Sequence, residues 1–138
     1  MDEYRDFTYS KTHFAELPQY INETKVKHNL RWTLILDPAI QGDKKGYNVF
    51  DEGYKRDVFI KWPQELANSS KIIHPKNVPA DKRILYGKMW PKGPAAFPDF
   101  FKNSTVHWWK EMIKNMHQDL KFDALWTASF SHKKVVFN

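Results

Sequence analysis

Asp37 is the residue of this 138-residue chain placed best for chemistry. It ends the run Leu30-Arg31-Trp32-Thr33-Leu34-Ile35-Leu36 and is followed by Pro38, which stops a β-ladder. A carboxylate at the C-terminal end of a buried parallel strand is where barrel enzymes carry functional groups. An isolated Asp-Pro also serves as a plain strand-end turn. Trp90 and Trp126 offer flat faces that could pack on the C–H faces of a sugar, whereas Trp108 and Trp109 fall on helical spacing and read as core. Asp99, within Phe97-Pro98-Asp99-Phe100, reads as a structural turn residue rather than an acid or base. Other chemistries lack their residues. The six histidines (His13, His28, His74, His107, His117, His132) show no paired ligand spacing, and no serine elbow, P-loop or dinucleotide fingerprint is present.

The elements that would position these groups follow from periodicity. Residues 30–36 are the clearest strand, and residues 13–28 predict a short helix with Pro18 in its first turn and Leu17, Tyr20, Ile21 and Val26 on its buried side. Asn103-Ser104-Thr105 supplies an N-cap, after which Val106, Trp109, Ile113, Met116 and Leu120 make one apolar stripe. Lys121 to Trp126 then reads as a buried strand. Loop, helix and strand in that order suggest a βαβ unit on a parallel sheet. Between these parts, Gly42, Gly46 and Gly53 mark turns, residues 57–61 read as an edge strand, and 62–83 as a polar surface loop.

Composition narrows the class. Hydrophobic content of 41% and aromatic content of 16% fit a folded chain, and no apolar run approaches the ~20 residues of a membrane helix. The charge of +6 is scattered with no nucleic-acid-binding motif, so it reads as a solvated surface and nucleic acid is not an expected partner. The opening Met1-Asp2-Glu3-Tyr4-Arg5-Asp6 is too charged for a signal peptide. There is no cysteine. Three acceptor sequons, at Asn22, Asn68 and Asn103, are compatible with a lumenal or secreted parent.

Several stretches together resemble glycoside hydrolase family 31, the α-glucosidase family. They are Asp6-Phe7-Thr8, Leu34-Ile35-Leu36-Asp37-Pro38-Ala39-Ile40, Gly46-Tyr47 to Gly53, Gly87-Lys88-Met89-Trp90-Pro91, Phe97-Pro98-Asp99-Phe100, Trp108-Trp109 and Phe122-Asp123-Ala124-Leu125-Trp126. Lys92 is an additional residue relative to the family's turn. The resemblance implies a slice of a (β/α)8 TIM barrel, about two of its eight strands, over residues 1–126, with 127–138 an unrelated tail. It implies that Met1 corresponds to an internal position of a longer chain, whose preceding strand bears a substrate-binding Asp.

By the same resemblance Asp37, Ile35, Trp90 and Trp126 line the sugar pocket, the parent acts on α-glucoside oligosaccharides in a lumenal, lysosomal or extracellular setting, and no metal or cofactor is used. Retaining glycosidases need two carboxyl groups ~5–5.5 Å apart. The nucleophile's place, two residues after Trp126, holds Ala128, and the acid/base lies beyond Asn138. The expectation is therefore an inactive fragment of an α-glucosidase-type hydrolase. The alternative is a non-catalytic carbohydrate-binding or interaction protein. A barrel slice with unpaired strand edges should be marginally stable or aggregate.

Overall fold

Two parallel strands and the long helix that leads into the second carry the architecture. The computed structural model describes residues 1–66, 69, 75–78 and 83–127. Strand β1 (Thr33–Leu36) pairs in parallel with β5 (Ala124–Thr127), with Ile35 beside Trp126. Helix α3 (Asn103–Leu120) leads directly into β5, which is the expected helix-then-strand half of a βαβ unit. Asp123 sets the register. Its backbone N–H donates to Trp32 O at 2.8 Å, its Oδ2 accepts from Trp32 N–H at 2.9 Å, and its Oδ1 lies 2.8 Å from Lys25 Nζ.

Lys25 belongs to α1 (Leu17–His28), which begins with Pro18 in its first turn and ends at Asn29 in the left-handed conformation, φ 51°. Ile21 and Thr24 are its buried residues, whereas Tyr20 and Val26 are exposed, contrary to the sequence expectation. Thr24 can take the inward position because its hydroxyl is satisfied: it donates to Tyr20 O and accepts from Trp32 Nε1 at 2.9 Å. Val26, two residues on, is thereby turned to the far side of the helix.

Helix α3 begins one residue earlier than its expected cap. Lys102 is the N-cap, with no side-chain capping bond, and Asn103, Ser104 and Thr105 lie in the first turn. Thr105 is fully buried and its hydroxyl donates to Val58 O at 3.1 Å, which draws the helix inward on that side. The buried stripe is accordingly Thr105, Trp108, Met112 and Leu120, with Trp109, Ile113 and Met116 flanking it and Val106 exposed. The N-terminal half packs Trp108 and Met112 against Phe50 and Phe59; the C-terminal half meets Ile21, Phe122, Leu34 and Leu125.

Other parts depart from expectation. Residues 48–55 form a helix, α2 (Asn48–Lys55), where a loop was read from glycines. Gly53 is not a turn residue but a contact point, since a Cβ there would meet Phe59 Cζ at 2.8 Å. A small antiparallel sheet, β2 (Ile40–Gln41), β4 (Ala95–Ala96) and β3 (Tyr86–Gly87) in that spatial order, was not foreseen. The stretch expected as an edge strand, 57–61, is bonded on both sides: Ile60 N–H to Phe97 O and Leu85 N–H to Ile60 O, each 2.9 Å. Only a 3₁₀ turn, Gln64–Leu66, is regular within the described part of the polar insertion.

The last strand is not buried as expected: Leu125 is half-buried and Ala124, Trp126 and Thr127 are exposed. Leu34, Leu36 and Leu125 face the helices. On the opposite face Thr33, Ala124 and Trp126 are exposed and Ile35 half-buried. No helix among the described residues is long and apolar enough to cross a membrane.

Candidate functional site

Asp37 follows β1 on the Ile35 side of the strand alternation, so the site grows out of the open face of the strand pair. The residue is 5% exposed. Its backbone N–H points at a second carboxyl group, donating to both oxygens of Asp6 at 3.2 Å each. Its own Oδ1 is buried and has no hydrogen-bond partner among the described residues. An unmatched buried acceptor is costly unless something donates to it.

Asp6 is fixed from several directions. Tyr47, at the N-cap of α2, donates its hydroxyl to Asp6 O at 2.8 Å, which ties the N-terminal loop to the start of that helix. Arg5 is held by Asp2 at 2.6 Å and Glu3 at 2.8 Å, and its guanidinium lies 5.9 Å from the centre of the Tyr47 ring. Burial pushes the Asp6 carboxyl up to about 8; the Asp37 amide opposes this and the Asp37 charge adds to it. Burial likewise holds the Tyr47 hydroxyl well above its ordinary range. At neutral pH Asp6 is therefore largely a neutral acid, and Asp37 is spared a full negative charge at its back.

Pairing of Ile35 with Trp126 sets these two side by side on the open face, and Asp37 follows directly. Trp126 is 64% exposed. Trp90, 59% exposed, stands on the β3–β4 connection and shares no ring contact with Trp126 among the described residues. That connection is anchored close by: Met89 packs with Ala39, and Gly42 N–H donates to Pro94 O at 2.8 Å. Lys92, the additional residue, is exposed, and the turn closes at Gly93, where a Cβ would collide with Asp43 Oδ1 at 2.1 Å. Ala128, the residue at the expected nucleophile position, lies outside the described residues, as do Asn68, His74 and His132.

Asp99 behaves as a turn residue: its Oδ1 accepts from Phe101 N–H at 3.2 Å, and its own N–H donates to Val58 O. Trp108 is fully buried core. Asp6 and Tyr47 were missed as site residues, because their importance comes from contacts 31 and 41 residues away. A concavity of about 380 Å³ lies elsewhere, between Phe7, Tyr9 and Tyr47 and the α3 residues Met112 and Met116, and it does not include Asp37. Among the described residues the two strands present an open face carrying Thr33, Ala124 and Trp126. Among the described residues no group of three or more His, Asp or Glu side chains could hold a metal ion.

Comparison with known proteins places this arrangement. The chain is 38% identical over 136 residues to intestinal sucrase-isomaltase of Oryctolagus cuniculus, covering 91% of this chain and 7% of that protein. Lysosomal alpha-glucosidase of Mus musculus is 35% identical over 128 residues, covering 91% and 11%. The crystal structure of glucosidase II alpha subunit bound to Glc1Man2 superposes with a TM-score of 0.68 at 23% identity, over 92% of this chain and 12% of that one, a likeness of fold. The chain thus spans only a small part of the relatives it matches. The model of the glycosyl hydrolases family 31 TIM-barrel domain matches residues 1–135, so the chain belongs to that family as a segment of its barrel.

Proposed function

We propose that this chain is one wall of the sugar site of an α-glucosidase-type hydrolase. Asp37 accepts hydrogen bonds from sugar hydroxyls, Trp90 and Trp126 pack on sugar C–H faces, and Ile35 fills the apolar floor between them. The observation that carries this reading is the buried Asp37 Oδ1, unmatched at the C-terminal end of a parallel strand pair. In the whole protein the substrate is a terminal α-linked glucose, released with retention.

The chain by itself does not hydrolyse glycosides. Retention needs two carboxyl groups flanking the bond, and Ala128 has no nucleophilic atom. A purified sample incubated with maltose should release no glucose above a buffer blank, and sustained release would sink the proposal. The exposed Trp126 beside an unmatched acceptor also favours a second reading, sugar binding without catalysis. Calorimetric titration with maltose separates the two: heat that disappears in Asp37→Ala and Trp90→Ala supports binding by this chain alone, and no heat leaves the site dependent on the rest of the barrel.

A further inference from the structure

Phe101 is 103% exposed, a phenylalanine with neither ring face covered. The turn before α3 holds it there. Its N–H is donated to Asp99 Oδ1, Lys102 N–H is donated to Asp99 O at 3.0 Å, and Lys102 Nζ donates to Asp57 O at 3.1 Å. Phe100, itself 37% exposed, turns its ring edge-on to Trp109 at 5.2 Å. Two residues after Phe101 stands Asn103, exposed at the first position of α3, and Asn103-Ser104-Thr105 is an N-glycan acceptor triplet. The intervening Lys102 is extended (φ −90°, ψ 134°). Phe101 and Asn103 are both exposed, with this single residue between them.

We propose that Asn103 is an N-glycosylation site whose first sugar packs its C–H face on the ring of Phe101. An uncovered aromatic beside an acceptor asparagine gives the ring an occupant of matching chemistry, since covering its apolar area is favourable. In the transfer, Asn103 Nδ2 bonds to the anomeric carbon of a lipid-diphosphate-linked oligosaccharide. The anomeric C–O bond breaks, the lipid diphosphate leaves with the electron pair, and one amide proton is lost to solvent. Thr105, whose hydroxyl belongs to the triplet, is fully buried on Val58 O in the folded chain. Modification therefore precedes docking of α3, and the folded protein then holds the sugar against Phe101.

The other described triplet shows what the pairing requires. Tyr20 likewise precedes Asn22 by two residues, but both lie inside α1, where residues two apart do not face each other. Tyr20 is moreover edge-on to Trp32 at 5.8 Å. Tyr20 is therefore not offered to a sugar on Asn22.

The test is cell-free translation of the full chain behind a cleavable leader with endoplasmic-reticulum microsomes, in an Asn22→Gln, Asn68→Gln background. Occupancy is read by glycoamidase-sensitive mass, which needs no folded product. One glycan is expected, absent in Asn103→Gln; no glycan overturns the site. For the packing, the glycoprotein trimmed to its first sugar is melted with and without Phe101→Ala, beside the unglycosylated pair. Loss of melting temperature on Phe101→Ala only in the glycosylated form supports the contact. Equal losses in both forms mean the ring serves another partner and overturn it.

Discussion

Asp6 is an acid placed where ionisation is disfavoured, and this has a pH signature. Its carboxyl sits at about 8 in the folded chain against 3.8 for the free side chain. The folded state therefore binds a proton that the unfolded state has released. The resulting stability is fully present below about pH 4 and is lost progressively as pH rises through about 8. Asp6→Asn keeps an acceptor for the Asp37 amide and removes the titration. Urea denaturation across this range should show the wild type losing stability relative to Asp6→Asn as pH rises, with Asp6→Asn the more stable at pH 8 by at least ~1 kcal/mol. A difference between wild type and Asp6→Asn that does not change from pH 4 to pH 8 would contradict the buried-acid description. Tyr47→Phe removes the hydroxyl that fixes Asp6 O and should cost roughly 1–2 kcal/mol, measurable in the same experiment.

At the scale of elements, α3 joins the two cores through Trp108 and Leu120. Trp108→Ala should cost roughly 3–5 kcal/mol in equilibrium unfolding, whereas Val106→Ala, on the exposed side, should stay within about 0.5 kcal/mol. The sequence carried the long, periodic parts of this architecture. Eighteen helical residues and two apolar runs repeat their pattern often enough to be read, and so β1, α3, β5 and the parallel pairing were legible. The stripe of α3 was misread by about one residue because buried Thr105 looks polar in a sequence and only Val58 O makes it an inward residue. Strands of two residues, β2, β3 and β4, are too short to show alternation at all. Of the candidate site, Asp37 was singled out by its place at a strand end, whereas Ile35 and Trp126 entered as pocket residues only through the family resemblance. Asp6 was not legible, because its burial is created by a backbone amide from another part of the chain.

At the scale of the whole molecule, the β1–β5 pair has, among the described residues, one face toward the helices and one open. Ile35 and Trp126 lie on the open one, and β1 and β5 each have an edge unpaired among the described residues. Such edges template pairing with other chains, and exposed apolar patches promote association. The isolated chain should associate at micromolar concentration, and Trp126→Lys should shift light-scattering onset to higher concentration. A cooperative melt from a strict monomer, unchanged by Trp126→Lys, would contradict this.

The lock between Trp32 and Asp123 joins positions 91 residues apart. On a ribosome adding roughly 5–20 residues per second, β1 emerges some 5–20 s before the strand that completes it. Loop closure over that length must be met before the contact returns any stability. Meanwhile α1 can form locally, but Thr33 to Leu36 wait as a bare apolar ribbon, and that waiting time is when a chaperone or a neighbouring nascent chain would find them.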